Sequence, residues 1–262
     1  MNSINKRLEK IKKEKRIGLM THVIVGYPSI KETISMVEVM DEAGVDFVEL
    51  QIPFSDPLAD GPTIMKACED ALERGVRVRD SFVVASKLSS EVDVPLIFMA
   101  YYNTVFKYGV EKFCRDAKIA GICGLIVPDI SIEEDAEEEF TKNAIMNKLH
   151  VIRVVSPAST DLRLKKNSDL SSGFVYCTAR QGTTGNQKKL DPKVITYLRN
   201  VRKILKVPLA VGFGIKSRED VNLVKEYADI AVVGSAIVSI AAKYRGESLK
   251  KEIRKFLSSI RV

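Results

Sequence analysis

Three carboxylates stand within the stretch ELQIPFSDPLADG, residues 49–61, with no Lys or Arg among them. Glu49 closes a run of alternating, strand-like residues, and Asp56 and Asp60 follow in a loop held by Pro53, Pro57 and Pro62. A carboxyl at the end of an apolar strand feels desolvation, which moves it toward the range of a general acid or base. The residue types leave a second reading open, in which Glu49 pairs with a buried Arg or accepts a loop amide. Asp60 precedes Gly61-Pro62 and has the form of a helix cap before a first-turn proline. Asp56 before Pro57 has the form of a turn residue. Leu50, Ile52, Phe54 and Leu58 have the character of buried side chains.

A second group of chemically useful positions lies late in the chain. ARQGTTGNQ (179–187), GFGIKSRED (212–220) and GSAIV (234–238) each follow an apolar run. Glycines let backbone N–H groups approach an anion, and a helix N-terminus adds a favourable dipole. Gly185, Gly212, Gly214, Gly234 and Ser235 are therefore expected to converge on a phosphate. Turn glycines at tight strand–helix corners are the plainer reading of each taken singly. No GxxxxGK[ST] loop, nucleophile elbow, metal-ligand spacing or dinucleotide GxGxxG occurs. His22 reads as a core histidine, and Met20 and Met99 as packing.

Eight apolar runs position these residues: 18–26, 45–52, 94–101, 122–129, 149–156, 173–179, 207–214 and 229–235. Most are too continuously apolar for a sheet with one wet face, which fits parallel strands covered on both sides. Amphipathic segments lie between them. Their starts are marked at Ser29, Ser131 with Glu134, Pro192, and Ser217 with Asp220, and their stops at Gly44, Gly75 and Gly121. Eight strand–helix units in one 262-residue chain predict an α/β fold, a TIM (β/α)8 barrel. It would have an N-terminal capping helix and an extra helix after strand two. A doubly wound open sheet is the alternative. No linker composition divides the chain, so 1–262 reads as a single domain, with chemistry expected where strands end.

Composition bounds the function. With 45% hydrophobic residues the chain can bury a sizeable core, and no apolar run nears the ~20 residues of a membrane helix. The N-terminus is charged and lacks a signal core, so the expected location is cytoplasmic. Four dispersed cysteines and two histidines fit neither a zinc site nor a disulfide framework. The net charge of +7 is spread out, and Ile4, Leu8 and Ile11 place the first basic run on the wet face of a helix, which argues against nucleic acid.

The stretch ELQIPFSDPLADGPTI closely resembles the ELGIPFSDPLADGPxI signature of the tryptophan synthase alpha chain family. The resemblance extends through GYPS, YYNTVFKYGVEKF, GLIVPD, SSGFVYCTARQGTTG, VPLAVGFGIKS and VVGSAIV. It implies a TIM barrel that cleaves indole-3-glycerol phosphate to indole and glyceraldehyde 3-phosphate by a retro-aldol reaction. The family's catalytic residues fall on Glu49, Asp60 and Tyr176. Its substrate and phosphate positions fall on Ile64, Thr184, Gly185, Phe213, Gly214, Gly234 and Ser235. The resemblance further implies docking through Pro53, Asp56 and Asn103 to a beta chain in an alpha2-beta2 complex. The pyridoxal phosphate cofactor would belong to that partner, with none in this chain and no metal. Gln51 replaces a common Gly, VGYP (25–28) and ARQGTTG (179–185) depart from the usual turns, and His22 stands where some members have an apolar pocket wall. A different phosphate-binding barrel would need other residues at strand two, and a silent scaffold barrel would not need Glu49, Asp60 and Tyr176.

Overall fold

The computed structural model describes residues 3–178, 192–212 and 214–262. Nine parallel strand segments alternate with helices: β1 (Gly18–Ile24), β2 (Phe47–Gln51), β3 (Leu96–Met99), β4 (Gly124–Ile126), β5 (His150–Ile152), β6 (Val154–Val155), β7 (Val175–Thr178), β8 (Leu209–Gly212) and β9 (Ile230–Val233). They hydrogen-bond in the order β5-β4-β3-β2-β1-β9-β8-β7-β6. The two ends of that order, β5 and β6, are separated in sequence only by Arg153, so the sheet curls round into a nearly closed barrel. The open-sheet alternative is thereby set aside.

The fifth expected strand is thus two segments. Arg153 is 4% exposed, and its guanidinium meets the Asp135 carboxylate at 2.9 Å, the Asn167 side-chain oxygen at 3.1 Å and the Ile130 carbonyl at 3.4 Å. Pulling this side chain out among the helices breaks the ladder for one residue, although the Arg153 carbonyl still accepts from Tyr176 N–H. Burial lowers the Arg153 pKa and Asp135 opposes that shift. Asp135 also accepts from the backbone and hydroxyl of Thr141. Removing one member of a buried pair leaves an uncompensated charge. Asp135→Ala is therefore expected to destabilise the fold by about 3 kcal/mol, read by chemical denaturation. Asp135→Asn, which keeps an acceptor, should cost less.

Two apolar layers follow from strand alternation. Outward residues such as Val23, Val48, Leu50, Phe98 and Val211 pack against the helices. Inward residues, among them Met20, Phe47, Ile97, Ile126, Phe174 and Ile230, fill the barrel together with Ile4 and Ile11. Those two belong to the first helix (Ser3–Lys13), which closes the barrel floor as the sequence predicts. A Cβ on Gly18 would lie 2.7 Å from Ile11 Cδ1, and one on Gly124 would lie 3.0 Å from Ile4 Cδ1. Residues without side chains are what let the plug sit flush.

The helix signals are largely met. Ser131 with Glu134 and Ser217 with Asp220 form capping boxes, and Ser29 accepts from the Glu32 amide. Gly44, Gly75 and Gly121 take the positive φ of helix stops. Two helices, Pro62–Glu73 and Val78–Ser89, lie between β2 and β3, which accounts for the extra helix. The strands are shorter than their apolar runs, most of which lose residues at both ends.

Candidate active site

At the upper rim the inward positions turn polar. His22 on β1 pairs in register with Glu49 on β2, and its Nδ1 lies 3.2 Å from Glu49 Oε1. Both are almost fully buried, at 5% and 2% exposure. Two positions along β2, Gln51 reaches over to the loop, and its Nε2 donates to Asp60 Oδ2 at 2.6 Å. Tyr101, just past β3, donates its hydroxyl to the same oxygen at 3.1 Å and accepts from the Ala59 amide at 3.0 Å. Its ring stacks on Phe54, with centroids 5.1 Å apart. The carboxylate-rich loop is thus tied to the rim from both β2 and β3.

Asp60 is not a helix cap. Gly61 takes the cap position of Pro62–Glu73 with no side-chain cap bond, and the Asp60 carboxylate points inward to Gln51 and Tyr101. Burial raises the Asp60 pKa, nearby His22 and the two donors pull it back, and Glu49 adds to the rise. Tyr176 on β7 is half-buried. Its phenol is pushed well above its ordinary value by burial and by the charges of Glu49 and Asp60, which places all three in one electrostatic neighbourhood. A Cβ on Gly212 would stand 2.6 Å from the Tyr176 hydroxyl, so this glycine makes room for the tyrosine.

The barrel closes beside His22 through Gly234, where an added Cβ would lie 3.6 Å from His22 Cβ and 3.7 Å from Ile64 Cδ1. Ile64 therefore walls the same cleft. Gly234 leads straight into the helix Ser235–Lys243 with no side chain capping its first amides. Gly212 pairs with Val232, which sets Gly214 and Gly234–Ser235 on neighbouring strand ends. Thr184, Gly185 and Phe213 lie outside the described residues. Among the described residues no group of three or more His, Cys, Asp or Glu is placed to hold a metal ion.

Residues 8–261 match the family model described as tryptophan synthase alpha chain. The chain belongs to that family. It is 44% identical over 259 residues to the tryptophan synthase alpha chain of Desulfotalea psychrophila, covering 99% of this chain and 100% of the relative. It is 39% identical to that of Thermoanaerobacter sp. strain X514, covering 100% and 99%. Among solved structures it resembles tryptophan synthase from M. tuberculosis in its aminoacrylate-bound form, with 30% identity, full coverage of both chains and a TM-score of 0.87. The tryptophan synthase complex of Pyrococcus furiosus matches with 31% identity, 93% and 97% coverage and a TM-score of 0.84. Membership makes the protein a carbon–carbon lyase of tryptophan biosynthesis, which cleaves indole-3-glycerol phosphate to indole and glyceraldehyde 3-phosphate.

Of the positions the resemblance implies, Glu49, Asp60, Tyr176, Ile64 and Gly234 share one neighbourhood around His22. Sequence reasoning passed over Tyr101 and gave His22 and Gln51 no role. The signal for Tyr101 was present, because it ends an apolar strand as Glu49 does. Of the docking positions, Asp56 and Asn103 are exposed, whereas Pro53 is buried within the chain itself. Leu58, which its type marked for burial, is 91% exposed at the tip of the loop. Among the described residues no helix is long and apolar enough to cross a membrane.

Proposed function

We propose that Glu49 is the proton shuttle of the cleavage, Asp60 the anchor of the indole ring and Tyr176 a wall of the cleft. The observation that carries this reading is the shared neighbourhood of two carboxylates at the barrel rim, one against His22 and the other held by Gln51 and Tyr101. Carbon–carbon cleavage requires a proton delivered to indole C3 and another removed from the adjoining glycerol hydroxyl. Glu49 Oε2 is buried with no hydrogen-bond partner among the described residues, and we assign that exchange to it. Asp60 accepts the indole N–H and offsets the positive charge that grows on the ring when C3 is protonated. Ile64 packs against the flat ring. Gly214, Gly234 and Ser235, with Thr184, Gly185 and Phe213, hold the phosphate through backbone amides and the Ser235 hydroxyl. The whole of 1–262 serves as one barrel unit.

The proposed partner is a tryptophan synthase beta chain, in an alpha2-beta2 complex whose pyridoxal phosphate sits in the beta chain. Two of the likenesses above are to tryptophan synthase structures, one of them a complex. Leu58, at 91% exposure, lies in the loop after β2 with Asp56, and Phe106, at 54%, lies on the helix after β3 (Tyr102–Tyr108) with Asn103. Pro53, in the same loop as Asp56 and Leu58, is buried. Incubating the purified chain with indole-3-glycerol phosphate, with and without a beta chain, tests the reading. Indole release is expected in both cases and faster with the partner, and no release in either would reject it. Leu58→Asp should leave release by the chain alone unchanged and weaken the beta chain's half-maximal stimulation by about tenfold.

A further inference from the structure

Two of the positions that depart from the family pattern, His22 and Gln51, face into the cleft. Each touches a different carboxylate there. His22 is the more consequential. Its Nδ1 meets Glu49 Oε1 at 3.2 Å, while its Nε2 has no hydrogen-bond partner among the described residues. The groups that act on its charge are Glu49 from β2, Asp60 from the loop beyond and the amide side chain of Gln51. Tyr176 on β7 feels the charge of both carboxylates, and the uncharged Gly234 and Ile64 adjoin His22. No Lys or Arg is among these groups. An imidazole buried against one carboxylate and near a second, with no cation among the described groups that act on it, is a place for a proton.

We propose that His22 is a positioning residue for the cleavage, storing on Nδ1 the proton that Glu49 passes to the substrate. The proposal rests on Glu49 as the shuttle. In the resting site the pair holds one mobile proton. With that proton on Glu49, the carboxyl protonates indole C3, and the ring gains a positive charge facing Asp60. Glu49, now a carboxylate beside neutral His22, takes the proton of the hydroxyl on the carbon bonded to C3. The O–H electrons form the carbonyl, the carbon–carbon bond breaks, and its electron pair returns to the ring and neutralises the nitrogen. One proton leaves the pair and one comes back, with no oxidation or reduction, and the returned proton rests on Nδ1.

The consequence is a wider working range. A carboxyl alone loses its proton in the ordinary carboxylate range, whereas a pair that includes an imidazole keeps one proton into the imidazole range. Burial lowers the His22 pKa, but the charge and hydrogen bond of Glu49, with Asp60 and Gln51, outweigh it and raise the imidazole above its usual value. His22 should therefore set the alkaline limb of turnover.

The experiment measures kcat and KM of the full chain from about pH 5 to about pH 9.5 for wild type, His22→Gln and His22→Phe. Circular dichroism confirms each fold. The alkaline limb of kcat should move to acid by about one pH unit or more in both variants. At about pH 8, kcat should fall at least tenfold while KM stays within about threefold. The chain has only two histidines, so imidazole NMR of wild type resolves His22 from His150, with His22→Gln giving the assignment. His22 should titrate above the usual histidine value, and His150, lowered by burial, below it. An unmoved alkaline limb in a folded variant would overturn the proposal, as would a His22 titrating at or below the ordinary value in wild type. Should Glu49→Gln remain active instead, the shuttle assignment itself is what fails.

Discussion

Glu49→Gln is expected to lower indole release by about three orders of magnitude while leaving the fold intact, a loss of about 4 kcal/mol of transition-state stabilisation. The substitution keeps the volume of a side chain that is 2% exposed, so packing on the barrel interior is preserved. The amide oxygen can still face His22 Nδ1. What disappears is the ability to carry a proton, which both halves of the reaction need at the same atom pair. The effect should fall on kcat far more than on KM, because an amide of the same shape still lines the cleft. Steady-state kinetics with indole-3-glycerol phosphate, beside a thermal melt, decide the matter. A variant within tenfold of wild-type turnover would show that the proton travels by another route. Glu49→Asp makes a useful companion, since the shorter side chain withdraws from the 3.2 Å contact with His22 without removing the carboxylate.

The barrel was legible because its cause is local. Apolar runs of strand length alternating with capped amphipathic segments leave few ways to bury both faces of a parallel sheet. Glu49 stood out as a carboxyl closing an apolar run, although its residue type alone left open whether it does chemistry or pairs with a buried Arg or a loop amide. Features set by distant partners were not legible. LHVIRVVS reads as one strand, and only Asp135 and Asn167, placed by the helices, show why Arg153 leaves the ladder. Asp60 before Gly-Pro has the local grammar of a helix cap. Its true partners, Gln51 at the end of β2 and Tyr101 just past β3, are brought to it by the loop's path over the paired strand ends. His22 looked like a core residue, and it is buried, but nothing in its neighbours along the chain points to Glu49 across the β1–β2 register. Leu58 marks a different limit, since hydrophobicity tells that a side chain is fit to be covered and not whether the same chain covers it.

Asp60→Asn is expected to lower kcat/KM by about two to three orders of magnitude, with no loss of stability at neutral pH. The reason is a matter of donors and acceptors. Asp60 Oδ2 already takes the Gln51 amide at 2.6 Å and the Tyr101 hydroxyl at 3.1 Å, so the proposed acceptor of the indole N–H is Oδ1. If the asparagine oxygen takes the place of Oδ2, its amide group meets the ring N–H as donor against donor. If it turns the other way, its amide group faces the Gln51 donor. Neither arrangement supplies the negative charge that the protonated ring requires. Stability runs the other way. Burial raises the Asp60 pKa in the folded chain, so the fold holds that proton more tightly than the unfolded chain does. Its favourable contribution is complete below the unfolded carboxyl value and is lost as pH rises through the folded one. At neutral pH the ionised carboxylate therefore works against the fold, and its removal should leave the melting temperature at or above that of wild type. Calorimetry at about pH 8 and about pH 4.5 reads both limits, with the advantage of the variant smaller in acid. A variant that melted well below wild type at pH ~8 would make Asp60 a brace for the loop. Inactivity without destabilisation is the signature of a charge kept in place for the substrate.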